Sequence, residues 1–143
     1  MKISISSSLQ YFIGLSKLQS IMNRRFDSAL GGLGLNEFII LFHLDQAPDT
    51  KMRRIDLAEK IGLTASGVTR ILLPMEKVGL VKREVNEHDA RVSLVMLEPG
   101  GKRKLDEALE RAELLSGELI PGDRSRDIAT LSEILSKIGG TVL

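Results

Sequence analysis

Apolar positions repeat at helical spacing over most of the chain and alternate in one stretch. Leu9, Phe12, Ile13, Ile21, Met22, Phe26 and Leu30 follow a period of about 3.6 residues, which predicts a long amphipathic helix over Leu9–Leu30. Gly31-Gly32-Leu33-Gly34 ends it, glycine being the common residue beyond a helix C-terminus. A second helix is expected over Leu35–Gln46, with Asn36 as its N-cap. Its run Phe38-Ile39-Ile40-Leu41-Phe42 is apolar nearly all round, so burial on more than one side is expected. After the turn Ala47-Pro48-Asp49-Thr50 come two short helices, Arg54–Ile61 closed by Gly62 and Thr64–Val78 closed by Gly79. Leu80–Glu84 and Val92–Leu97 are strand-like runs around a polar loop. A fifth helix spans Gly101–Leu119 and stops before Pro121-Gly122. A sixth runs from about Arg124 to Ile138, ended by Gly139-Gly140.

The third and fourth helices carry the most specific pattern. In LAEKIGLTASGVTRI, Gly62 permits the positive φ of a tight corner, Leu63 plugs it, and Thr64 caps the next helix. Val68, Ile71 or Leu72, Met75 and Val78 form the expected buried stripe, leaving Ser66, Thr69, Arg70 and Lys77 on the other face. Ala65, Ser66, Gly67 and Thr69 are small, so this helix can sink into a DNA major groove. Hydroxyls can meet phosphates or base edges there, and Arg70 is the best reader on the face. A plain two-helix corner in a helical domain is the competing interpretation.

The polar loop shifts the balance. A hairpin directly after a helix-turn-helix makes a winged helix, whose tip reaches an adjacent minor groove. Arg91 at that tip suits the negative potential of a narrow minor groove. Asp89, two residues earlier, can hold the guanidinium in one pose through a charge-assisted hydrogen bond. Standing alone, the same loop would read as a solvated turn.

Charge distribution agrees with this placement. The net charge of +1 divides unevenly: residues 1–50 sum to zero, residues 51–91 hold nine basic and six acidic side chains for +3, and residues 92–143 sum to −2. The positive excess therefore sits on the predicted helix-turn-helix and wing. With 143 residues, 43% hydrophobic and 27% charged, the expectation is one soluble, cytoplasmic domain. No apolar run approaches a membrane span, and the N-terminus is a poor signal peptide. The absence of cysteine removes disulfides, zinc–thiolate sites and thiol redox sensing, and 3% aromatics argues against single-strand binding by base stacking.

An enzyme is poorly supported. There are two histidines, His43 and His88, and no HExxH, GxGxxG or Walker lysine, so no catalytic residue, metal ligand or cofactor is assigned. Asp56 and Glu59 share a helix face, which reads as solvated charge.

The residues LAEKIGLTASGVTRILLPMEKVGLVKRE followed by DARVSLVMLEPG resemble the MarR family of bacterial winged-helix transcription regulators, over essentially the whole chain. The family's wing pattern, Asp-any-Arg followed by a strand and a helix-start glycine, is met by Asp89, Arg91, Val92–Leu97 and Gly100. The resemblance implies a mainly α fold with a small β-hairpin wing. It divides the single domain into a DNA-binding lobe (35–100) and dimerisation helices from both chain ends (1–34 and 101–143, including ILSKIGGTVL). It implies a homodimer on pseudo-palindromic double-stranded operator DNA, commonly a repressor. The expected DNA-binding set is Thr64, Ser66, Gly67, Thr69, Arg70, Lys77, Arg83, His88, Asp89 and Arg91. Many relatives are released by a small anionic aromatic or phenolic effector, for which Tyr11, Phe12, Arg24, Phe38, Phe42 and His43 are the candidate lining. For each of these six, core packing or plain solvation is the stronger reading.

Three positions depart from the family pattern. Arg53 stands where Ser or Thr usually caps the third helix, and Leu97-Glu98-Pro99 replaces the usual Leu-Thr, with Pro99 suited to the first helical position. Pro74 lies inside the recognition helix, where it removes a hydrogen bond and predicts a bend near Arg70–Pro74. Two alternatives to effector-released regulation stand beside it: a winged-helix protein-interaction module and a DNA-binding regulator without a ligand.

Overall fold

The second predicted helix lies at the centre of the molecule. In the computed structural model, which describes residues 1–89, 91–120 and 122–138, the elements in chain order are α1 (Ser7–Ala29), α2 (Leu35–Gln46), a 3-10 turn (Pro48–Thr50), β1 (Lys51–Arg53), α3 (Arg54–Ile61), α4 (Ala65–Lys77), β2 (Val81–Val85), β3 (Ser93–Leu97), α5 (Pro99–Leu119) and α6 (Ser125–Leu135). The fold is mainly helical with a small antiparallel sheet. Ile40, Leu41 and Leu44 of α2 are wholly buried, and the helix packs against α1, α3, α4, α5, β1 and β3. Its apolar run is covered on more than one side, with Phe42 left exposed.

Phe26, Leu30 and Leu33 close the core from the end of α1, and Leu57, Val68, Leu72 and Met75 from α3 and α4. On α5, Gly101, Leu105, Ala108, Ala112 and Leu115 step three or four residues at a time along one buried face. Lys102 bridges Asp45 at 3.1 Å and Asp106 at 3.2 Å, tying α5 to the end of α2.

Several local expectations need correction. The cap of α2 is Gly34, not Asn36. Glu37 Oε1 accepts the Gly34 N–H at 2.9 Å, and Asp27 Oδ1 accepts the Leu35 N–H at 2.8 Å. A carboxylate from the end of α1 thus does what a cap side chain would do, which frees the cap position for glycine. The wing is not a lone hairpin but part of a three-stranded sheet, ordered β1-β3-β2. β1 pairs Lys51, Met52 and Arg53 with Met96, Val95 and Leu94. Three residues are too few for alternation to mark a strand, so only pairing with β3 makes them one. Val78 is exposed, not part of the buried stripe, because α4 ends at Lys77 and the chain turns away. α6 stops at Leu135, short of Ile138.

The expectation at Pro99 holds. Pro99 opens α5 at its first turn, where a missing N–H costs nothing. α4 continues unbroken through Pro74 to Lys77, so the missing amide removes one hydrogen bond without ending the helix. Arg53 caps α3 without a side-chain bond, yet pairs with Asp56 at 2.8 Å across the first turn. The Gly139-Gly140 stop, Pro121 and the tail beyond Ile138 lie outside the described residues.

Candidate nucleic-acid interface

The α3–α4 corner is built as its residues require. Gly62 takes φ 73°, and its N–H and that of Leu63 satisfy the last carbonyls of α3. Thr64 Oγ1 accepts the Gly67 N–H at 3.0 Å, capping α4. Gly67 has little room for a larger residue, since a Cβ there would stand 3.1 Å from that same hydroxyl. With Val68, Leu72 and Met75 buried, Ser66, Arg70 and Lys77 project outward, and Thr64 is exposed beside Ser66 with their hydroxyls 3.4 Å apart. Among the described residues Arg70 and Lys77 enter no ion pair, so both cations are free for an external anion.

Thr69 differs from its neighbours. Its hydroxyl donates to the Ala65 carbonyl at 3.0 Å and accepts from Arg54 Nη1 at 2.6 Å. One acceptor site is thereby used and the proton is committed. Its role as a free hydroxyl is reduced, and Arg54 emerges as a residue the sequence reading did not select.

The wing tip is a nested set of short-range bonds. Asn86 Oδ1 accepts the backbone N–H groups of His88 at 2.8 Å and Asp89 at 3.2 Å, forming an Asx turn. Asp89 accepts the backbone N–H of Arg91 at 3.0 Å and grips its guanidinium through both carboxylate oxygens, at 3.1 Å to Nε and 3.3 Å to Nη2. These bonds, the guanidinium first and the backbone N–H second, hold the Asp89 carboxyl below the usual carboxylate range. The pair therefore stays ionised at neutral pH. Such an exposed pair adds little stability, but it restricts where Arg91 can point. The Arg91 side chain is 91% exposed and His88 is exposed beside it. Ala90, between the pair, lies outside the described residues.

α4 and the wing open onto one continuous strip. A groove of about 260 Å³ is lined by Arg54, Thr69, Glu76, Arg83 and Ser93. A smaller one of about 120 Å³ passes Arg53, Arg54, Arg91 and Ser93. A third, of about 290 Å³, runs past Arg83, Arg91 and Ser93. Ser93 is common to all three, with Arg54, Arg83 and Arg91 around it. Arg83 is paired with Glu76 at 2.9 Å, and Lys82 with Glu98 at 3.8 Å. The dibasic Arg53-Arg54 was the one visible signal for this junction, but nothing local tells that it faces the wing.

The six effector candidates line no common cleft among those of the described protomer. Tyr11 and Phe12 are exposed on α1, edge to face at 5.8 Å, and Arg24 is exposed farther along it. Phe38 packs against the core, whereas Phe42 is exposed and stacks edgewise on His43 at 5.3 Å. His43 lines an open cleft of about 490 Å³ with Pro48, Met52, Arg53 and Lys60, which the other five do not border. Burial first, and Lys60 second, lowers its pKa and keeps the imidazole neutral.

The same arrangement occurs in known proteins. The MarR family model matches residues 33–93, the span from the end of α1 to the start of β3. Over that span this chain is similar to the MarR family. The transcriptional regulator BldR from Sulfolobus solfataricus superposes with a TM-score of 0.81 at 26% identity, covering 96% of this chain and all of BldR. A MarR family regulator from Streptomyces coelicolor, solved in complex with DNA, shares the fold at a TM-score of 0.75 and 16% identity, over 95% of this chain and 91% of its own. The transcriptional repressor YetL of Bacillus subtilis (strain 168) is 29% identical over 106 residues, which span 73% of this chain and 64% of YetL. MarR proteins of this kind are DNA-binding transcriptional regulators and not enzymes. No described helix is long and apolar enough to cross a membrane.

Proposed function

We propose that this chain is a MarR-type homodimeric repressor that binds a pseudo-palindromic operator. Each protomer sets α4 in a major groove and the wing in the flanking minor groove. The observation that carries this reading is the strip at Ser93, which links α4, at Thr69 and Glu76, to the Asp89-held Arg91. Thr64, Ser66, Gly67, Thr69 and Arg70 form the helix contribution. Lys77, Arg83 and His88 supply backbone contacts, and Arg91 enters the minor groove. The repressor named YetL supports the sense of regulation.

Dimerisation is supported by apolar surface that has no partner within the protomer. Leu9, Phe12 and Ile13 on α1, and Leu131, Ile134 and Leu135 on α6, each form an exposed stripe at i, i+3 and i+4. α6 buries none of its residues and makes no substantial packing with any other described element. An 11-residue apolar-striped helix with no neighbour is marginal in water alone. A second copy supplies the missing face and sets two recognition helices about one DNA turn, roughly 34 Å, apart. Release by a small anionic aromatic or phenolic effector then acts by favouring a dimer with the wrong spacing.

The test is a titration of the protein against genomic fragments it selects, read as affinity and salt dependence. Binding that weakens steeply with salt supports DNA recognition, because phosphate contacts release counterions. Salt-insensitive behaviour with no duplex shift would favour the protein-interaction module. Within that assay Arg91→Ala is expected to weaken operator binding about tenfold while the melting temperature stays unchanged. Unchanged affinity at matched salt removes the wing from the reading. Arg70→Ala is expected to cost about 1–3 kcal/mol and to relax sequence preference at one base position. Lys82→Ala should weaken all duplexes alike; identical behaviour of the two variants would sink base reading by Arg70.

A further inference from the structure

Arg54 is the unexplained cation of the interface. Its side chain is partly buried at the first turn of α3, where it donates to Thr69 Oγ1 at 2.6 Å. Every other arginine in the strip has a carboxylate: Arg53 has Asp56, Arg83 has Glu76 and Arg91 has Asp89. Among the described residues, no carboxylate lies within ion-pair distance of Arg54. The one acidic residue of its groove, Glu76, is taken by Arg83. A guanidinium carries five donors in a planar fork, so one bond to a hydroxyl leaves most of it unused.

Its position supplies the missing partner. α4 and the wing are read here as occupying adjacent major and minor grooves, and one sugar–phosphate strand separates those grooves in any duplex. Arg54 lies in the groove between α4 and β3 and also in the groove that leads to Arg91. The separating strand must pass over it. Resting on the DNA-binding reading above, we propose that Arg54 is a phosphate clamp at the junction of recognition helix and wing, gripping the backbone that runs between the two grooves. The Thr69 hydroxyl holds the guanidinium in place, so Thr69 serves as a positioning residue for Arg54 as well as a residue of the reading face. Because a phosphate is the same at every step, the clamp contributes affinity and register but no sequence preference.

Salt dependence separates this role from a structural one. The probe is a fluorescein-labelled mixed-sequence duplex of about 30 base pairs, three helical turns. Its anisotropy is followed over a range of salt for wild type, Arg54→Ala, Arg54→Lys and Thr69→Val. Each neutralised phosphate adds about 0.9 to the slope of log K against log salt. Arg54→Ala is expected to lower the slope by about that amount per protomer engaged, with affinity reduced several-fold. Arg54→Lys, which keeps the charge, restores the slope; Thr69→Val, which removes the bond that holds the guanidinium, shifts slope and affinity toward those of Arg54→Ala, and a wild-type line for it removes Thr69 from the positioning role. If Arg54→Ala fails to fold by circular dichroism, Arg54→Gln takes its place, keeping the stem and a hydrogen bond to Thr69. A steep wild-type slope with a parallel line for the neutral variant overturns the clamp alone. A flat wild-type line overturns the DNA reading and the clamp together.

Discussion

Gly101→Ala is expected to destabilise the protein by about 2 kcal/mol, whereas Gly117→Ala on the same helix stabilises it slightly. Helix propensity alone favours both changes by about 1 kcal/mol, since alanine loses less backbone entropy than glycine. The surroundings decide otherwise at one of them. A Cβ on Gly101 would strike the Leu80 carbonyl oxygen and stand 2.8 Å from Leu97 Cδ1, while one on Gly117 meets nothing within 4 Å. The Leu80 carbonyl is not free to move, because it accepts the Glu98 N–H at 3.0 Å. α5 would have to lift off the root of the wing, at a cost near the upper end of overpacking, about 3 kcal/mol. That exceeds the propensity gain. Thermal unfolding at matched protein concentration checks it, with a fall in melting temperature of roughly 8 °C for the Gly101 variant. A Gly101→Ala protein as stable as wild type would show that α5 and the wing root are not held by this contact. Gly100 is the milder case, its Cβ lying 2.9 Å from the Gly79 carbonyl.

The second large effect concerns assembly. Leu131→Glu combined with Ile134→Glu is expected to abolish the dimer and to lower operator affinity by at least a hundredfold. Both side chains are about half exposed in the protomer, 51% and 49%, so the substitutions meet water there and cost the isolated fold little. In a dimer they would bury unpaired carboxylates in an apolar seam, which costs several kcal/mol. Losing one protomer from a two-site complex also removes avidity, commonly a factor of 10²–10⁴. Sedimentation equilibrium reads the mass, and circular dichroism confirms that the monomer is folded. A variant that keeps the wild-type mass would place the interface elsewhere; a wild-type monomer would end the dimer reading.

Much of the site was legible before any coordinates because its determinants are short-range. Gly62 turning the corner, Thr64 capping α4 and Asp89 gripping Arg91 each act over two or three residues. Helical periodicity placed all six helices, since the face of a helix that meets the core repeats along the chain itself. The burial of α2 on more than one side was legible too, because its run over residues 38–42 is apolar nearly all round, although Phe42 itself stays exposed.

What stayed hidden depends on partners far away in sequence. β1 is a strand only because β3 lies beside it, more than forty residues on. Gly34 caps α2 because Asp27 reaches across from α1, so the local preference for Asn36 lost to a tertiary bond. Tyr11, Phe12, Arg24, Phe38, Phe42 and His43 share chemistry suited to an aromatic anion, but residue type does not set direction: Phe38 packs on the core while Tyr11, Phe12 and Phe42 are exposed. Arg54 is the clearest case. Along the chain it is one charge at the start of a short helix. Only folding brings it against Thr69 and beside the wing, between the two elements that read the grooves. Periodicity and capping are written in neighbouring residues. The junction that Arg54 occupies exists only after α3, α4 and β3 have packed together.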